Sequence, residues 1–222
     1  MQYRVLVGFI CILSAILSIA CLGVGVISVD YDFEAFSNPQ LVLYHATHYR
    51  AAYWFNILDM FGYYLLVLPL IMYCHQQYKF RSPWLGTFTV CGIAYIVVGA
   101  IGAAALAVAW ESLLQLHLTA EGTAKETIEI VFVTITTIVT KGFWNILETL
   151  FATVWFAGAG RFLYNENKFL GALGVITGAG TLLDGAGNIA GLNGLAEIGL
   201  NIYLLFSIAF IFVAGVVFIT RR

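Results

Sequence analysis

Residues 5–28 carry no charged side chain, and residues 84–110 again carry none. Stretches of this kind decide the fold class before anything else does. A hydrocarbon core about 30 Å thick is crossed by about 20 apolar residues in a helix. Lipid offers no hydrogen bonds to an exposed backbone, so a continuously apolar spanning segment has to be helical. Composition agrees: 61% of the 222 residues are hydrophobic and 10% are charged, where a soluble domain carries about 25% charged residues. Water is therefore not the main solvent, which excludes nucleic-acid binders, disordered tails and soluble enzymes. The expected fold is all-α: a polytopic membrane helix bundle forming one integral membrane domain over residues 1–222, with the lipid bilayer as its first partner.

Six spans are expected, at 5–28, 52–74, 84–110, 142–163, 169–192 and 197–220. The first is read as a retained helix, because it exceeds a signal peptide's apolar region of about 7–15 residues and no A-x-A site follows it. The apolar segment 130–140, ahead of Lys141-Gly142, is expected to lie at the outer interface or to re-enter it. Ten Lys/Arg against twelve Asp/Glu leave a net charge of −2, so the distribution says more than the total. With the N-terminus inside, the inner side holds Arg4, Lys79, Arg81, Arg161, Lys168, Arg221 and Arg222, and the outer side only Arg50, Lys125 and Lys141. Positive residues concentrate inside, so both termini are expected inside. The size and patterning resemble those of small bacterial polytopic membrane proteins, which implies the inner (cell) membrane. The four cysteines (Cys11, Cys21, Cys74, Cys91) lie in or beside apolar runs without Cys-x-x-Cys spacing; they read as small packing groups.

An internal repeat is visible. Trp54-Phe55-Asn56-Ile57-Leu58-Asp59 echoes Phe143-Trp144-Asn145-Ile146-Leu147-Glu148, and at the same offset Lys79-Phe80 falls on Lys168-Phe169. Both copies run from outside to inside, so residues about 52–110 and 141–197 would form a parallel repeat of the kind some transporters contain.

Polar side chains inside spans are costly, about 2.5–3.5 kcal/mol for an acid at the helix centre, and here they come in pairs. Asn56 and Asp59 are three apart, as are Asn145 and Glu148; Asp184 and Asn188 are four apart, as are Glu197 and Asn201. Such spacings put both members of a pair on one helix face. At 1.5 Å per residue Asp59 and Glu148 lie roughly 10 Å in from the outer helix ends, and Asp184 about 12 Å. All four pairs fall in the outer half of the membrane, and their convergence predicts a polar cavity open to the outside. Asp59 and Glu148 are the candidates for acid/base or proton-coupling chemistry; Asn56, Asn145, Asp184, Asn188, Glu197 and Asn201 are candidate ligand contacts. Trp54 and Trp144, one turn from the acids, could add an aromatic cage.

Weaker signals are weighed beside these. His45 and His48 share a helix face and could hold a metal with Glu111 or His117, although one His-x-x-His is thin support; interface polarity is the simpler reading. Gly185-Ala186-Gly187-Asn188-Ile189-Ala190 spells a dinucleotide motif without the preceding strand it needs, and no cofactor is expected. Gly174, Gly178, Gly187 and Gly191 allow close helix approach, and Pro69 and Gly158 suggest matching kinks.

The function expected is a small membrane transporter or substrate-binding protein with an outward polar cavity, taking a small solute or lipid ligand and coupled to protons. One alternative is a membrane enzyme acting on a lipid or isoprenoid, with paired carboxyls as acid and base and Trp54, Trp144 and Tyr95 facing a carbocation. The other is a non-catalytic assembly or regulatory subunit with a protein partner or as a homo-oligomer.

Overall fold

The computed structural model describes residues 3–220; Arg221 and Arg222, used in the charge count, lie outside the described residues. Six helices are long and apolar enough to cross a membrane: α1 (Tyr3–Ser28), α2 (Pro39–Tyr78), α3 (Leu85–Thr119), α4 (Gly122–Tyr164), α5 (Lys168–Ala190) and α6 (Asn193–Thr220). There is no strand among the described residues. Each helix packs on its chain neighbours and α1 closes on α6, so the six form a ring.

Glycines set the closeness of that ring. A Cβ on Gly174 would lie 2.7 Å from Gly160 Cα, which brings α5 onto α4, and one on Gly187 would overlap Ala196, which brings α5 onto α6. Gly178 sits equally tightly on Ala157. Gly191 does a different job from its expected packing role. With φ of +70° it ends α5 in the left-handed region, and the Leu192 N–H bonds the Gly187 carbonyl at 2.8 Å, a Schellman-type stop.

Two helices are irregular in their middles. In α2 the α-helix Tyr49–Asp59 passes into a π-helical turn, Met60–Tyr64, then a 3₁₀ turn, Leu65–Val67, before Leu68–Tyr78 resumes. Pro69 explains the break, because it lacks an N–H and its ring crowds the carbonyl four residues back. The disturbed carbonyls are taken up by other helices: Ser14 Oγ donates to Gly62 O at 2.5 Å and Tyr95 OH to Tyr63 O at 2.7 Å. In α4 the π-helical stretch is Ile138–Glu148, ten residues or so ahead of Gly158, which sits in regular helix. Pro69 therefore marks a kink and Gly158 does not; Gly158 instead accommodates the Phe88 ring.

The connection between α3 and α4 is helical. α3 continues to Thr119 and α4 begins at Gly122, so residues 111–141 form a helical hairpin, and 130–140 is continuous with α4 rather than a separate interfacial piece. Phe132, Thr136 and Val139 recur at helical spacing and are buried beside Leu106, Trp110 and Leu114 of α3. That stripe needs a partner, and a loop could not supply one. Trp110 Nε1 donates to Thr136 Oγ1 at 2.9 Å, and His117 Nε2 meets Glu129 Oε1 at 3.0 Å. Val29, Ala35, Val42 and Ala46 join the same small core.

Candidate carboxyl and tyrosine site

The ring's centre is aromatic. Phe156 of α4 touches Tyr95, Tyr203 and Phe210 edge-on, at centroid distances of 5.6, 6.2 and 5.7 Å. Tyr64 lies 5.4 Å from Tyr95 and Tyr63 lies 6.3 Å from Tyr203. A buried phenol needs a partner for its hydroxyl, and the partner for two of them is Glu148, 3% exposed at the end of the π-helical stretch of α4. Tyr64 OH donates to Oε2 at 3.0 Å, and Tyr203 OH lies 3.4 Å from Oε1. Tyr203 OH is also 3.0 Å from Tyr95 OH, which donates to the Tyr63 carbonyl.

Counting hydrogens gives this network two arrangements. A carbonyl can only accept, so the Tyr95 hydrogen is committed to Tyr63 O. Tyr203 has one hydrogen and two acceptors, Tyr95 Oη and Glu148 Oε1. With Glu148 ionised, Tyr203 serves one and leaves the other. With a proton on Glu148, the chain Glu148 → Tyr203 → Tyr95 → Tyr63 O has a hydrogen for every link. Gain or loss of one proton thus reorients the Tyr203 hydroxyl on α6. Replacing Tyr95 by Phe removes two links, one of them the hydroxyl that the Tyr63 carbonyl accepts, at a cost of about 1–3 kcal/mol. Thermal denaturation in detergent should show a lowered Tm for Tyr95→Phe and a smaller loss for Tyr44→Phe, whose ring is 81% exposed.

The other expected residues divide. Asp184 is buried, and its Oδ1 accepts from Asn188 Nδ2 at 2.7 Å, so that pair shares a face as its spacing implies. Asp59 and Asp184 both lie within electrostatic range of Glu148, which brings three acids of α2, α4 and α5 into one neighbourhood. Asn56 is fully buried and donates to Ala52 O at 2.9 Å. Asn145 is half-buried, and its backbone carbonyl takes the Thr149 hydroxyl at 3.1 Å.

Glu197 and Asn201 do not join. Both are exposed, because the inward face of α6 is the stripe Ala196, Gly199, Tyr203, Ser207 and Phe210. Their spacing puts them on one face, but that face points outward. Trp54 is 56% exposed, whereas Trp144 turns onto α3 and donates to Gly99 O at 3.3 Å, so the two form no cage. His45 Nε2 sits 3.4 Å from Asp32 Oδ2. Among the described residues no three His, Cys, Asp or Glu side chains are grouped as a metal site.

Glu148 and Asp184 are buried and Asp59 is half-buried. Two surface clefts, of about 410 and 790 Å³, lie elsewhere, around Phe88 and Arg161. Tyr63, Tyr64 and Tyr203 carry no expectation from the sequence, and Tyr95 was expected only as a carbocation contact. Four phenols in mid-span, each with a hydroxyl needing a partner, were the available signal.

No family model matches the chain, and neither a curated protein nor a solved structure matches it.

Proposed function

We propose that this chain is a small multi-pass membrane transporter in which Glu148 couples movement of a small solute to a proton. The observation that carries this is the hydrogen count: one proton on Glu148 decides which way the Tyr203 hydroxyl points, in a network joining α2, α3, α4 and α6. Transport needs a bistable element biased by ligand binding, and a carboxyl whose protonation switches one hydroxyl within a network joining four helices supplies one. The burial of Glu148 and Asp184 suits an occluded state between inward and outward openings. Acids with no buried Lys or Arg bonded to them favour a cationic or hydrogen-bonding solute.

Orientation is part of the same reading. Arg4, Lys79, Arg81, Arg161 and Lys168 all fall at one end of the ring by the alternation of the helices, which favours N-in, C-in topology in a bacterial cell membrane. The parallel repeat is kept as an evolutionary reading only. Asp59 precedes one π-helical turn and Glu148 ends the other, so any duplicated halves have diverged in register and in use.

The test is proton movement. Purified protein in proteoliposomes with a trapped pH dye is exposed to a panel of small organic cations. At least one should drive a change in internal pH, and Glu148→Gln, which keeps shape and hydrogen bonding, should lower that rate at least tenfold. No response to any cation, or an undiminished response in Glu148→Gln, overturns the proposal.

A further inference from the structure

Three buried polar atoms on α2 have no hydrogen-bond partner: Asn56 Oδ1, Asp59 Oδ2 and Tyr63 OH. They recur at i, i+3 and i+7, which puts them on one stripe of the helix. Asn56 is 0% exposed and Tyr63 is 2%. The amide orientation of Asn56 follows from its other end, since Nδ2 donates to Ala52 O and a carbonyl can only accept. Its Oδ1 is thus the free end, and it is an acceptor. Asp59 Oδ2 beside it is a second acceptor. Long side chains on a helix lean back toward its N-terminus, which carries the Tyr63 hydroxyl toward the turn of Asp59. Cys21 of α1 lies within electrostatic range of Asp59 and Tyr63 and its Sγ meets Phe55 O at 3.5 Å, so α1 packs beside this stretch, while the Tyr63 ring also lies 6.3 Å from Tyr203 of α6.

Two acceptors one turn apart, with one unpartnered hydroxyl whose oxygen can also accept, form an oxygen-rich site lacking a positive charge. Among the described residues no Lys or Arg pairs with Asp59. The seam between α1 and α2 is narrow: a Cβ on Gly62 would lie 2.7 Å from Ser18 N, and one on Gly25 would lie 2.8 Å from the Phe55 ring. Such close packing favours a small ligand over a bulky organic solute. One carboxylate balances one positive charge, which leaves the site neutral in a low-dielectric surround. A divalent ion would keep an uncompensated charge, and Ca²⁺ takes 6–8 oxygen ligands. The helix also departs from regular geometry directly after Asp59, at Met60–Tyr64, and broken membrane helices are where carbonyls and side-chain oxygens coordinate Na⁺ in known transporters.

The geometry points to a sodium-ion site on α2, formed by Asn56 Oδ1, Asp59 and the Tyr63 hydroxyl oxygen beside α1. Binding at equilibrium does not require that the chain transport anything, so this site and the Glu148 proposal stand or fall separately.

The experiment is thermal denaturation of the purified full chain in NaCl, KCl or choline chloride at equal ionic strength, with radioactive sodium binding on the same samples. Sodium should raise Tm by roughly 3–5 °C for each tenfold rise above Kd, and choline should not. Asp59→Asn should lose the sodium shift and the bound radioactivity while still melting cooperatively in choline. Asn56→Leu should weaken sodium binding at least tenfold, and Glu197→Gln, on the outward face of α6, should bind as the natural chain does. Identical Tm values in NaCl and choline, equal effects of Na⁺ and K⁺, or full sodium binding by Asp59→Asn would each overturn the site and leave the three atoms to water or to a proton. Should Asp59→Asn fail to fold, the salt comparison and Asn56→Leu decide alone.

Discussion

Gly199→Ala is expected to be among the most damaging small substitutions in this chain. A Cβ at that position would overlap the backbone of Asp184, lying 2.7 Å from its Cα and 2.7 Å from Gly180 O. No rotamer relieves a clash with backbone, so α5 and α6 must separate or the substitution must bend one of them. Overpacking costs typically 1–3 kcal/mol, and rigid backbone neighbours put this case at the upper end. The effect should spread, because α6 also carries Tyr203 to Glu148 and α5 carries Asp184. Gly23→Ala is the control: nothing lies within 4 Å of its added Cβ, and removing a mid-helix glycine is worth about 0.5–1 kcal/mol in helix preference. Thermal denaturation in lipid nanodiscs should show a large fall in Tm for Gly199→Ala and no fall for Gly23→Ala. Equal Tm values for the two variants would mean that α5 and α6 do not meet at Gly199.

Gly99→Ala should strike the site itself. The Tyr64 ring lies flat on Gly99, so that an added Cβ would fall within the space of the ring. Relief means moving Tyr64, and Tyr64 holds Glu148 Oε2. The variant then bears an overpacking cost of about 1–3 kcal/mol and weakens a charge-assisted bond worth about 1.5–3 kcal/mol when Glu148 is ionised. The two can be separated with Tyr64→Phe, which loses the hydroxyl but keeps the ring. Their effects should be strongly non-additive, as for residues in one contact network: Gly99→Ala in a Tyr64→Phe background should cost less than in the natural chain. Additive losses in Tm would show that Gly99 acts elsewhere.

The hydrophobic runs told which segments become helices and how many are long and apolar enough to cross a membrane, because lipid would leave an apolar backbone no other choice. They also carried the pairing of Asp184 with Asn188, since a spacing of four on one helix is a local fact. What they could not carry was azimuth. Glu197 and Asn201 form as good a pair by spacing as Asp184 and Asn188, yet α6 turns Gly199 and Tyr203 inward and sends them outward. In water a polar face can be told from a core face by composition, but on α6 lipid and protein interior are both apolar, so the pattern leaves the choice open. The hairpin at 111–141 was hidden for another reason: its stripe of Phe132, Thr136 and Val139 gains its partner only from Trp110 and Leu114 on another helix.

From the sequence alone come six helices long and apolar enough to cross a membrane and three acids placed well inside those helices, all consequences of local hydropathy and of 1.5 Å per residue. The tertiary structure alone decided that Glu148 is held by Tyr64 and Tyr203 and that Asp59 Oδ2 lies unpartnered beside α1. The Tyr95–Tyr203 link to the Tyr63 carbonyl belongs to the structure as well. Those contacts join residues far apart in the chain, across helices whose rotation is set by glycine-to-backbone fit. Such fit depends on the shapes of two surfaces at once, and no single stretch of sequence contains both.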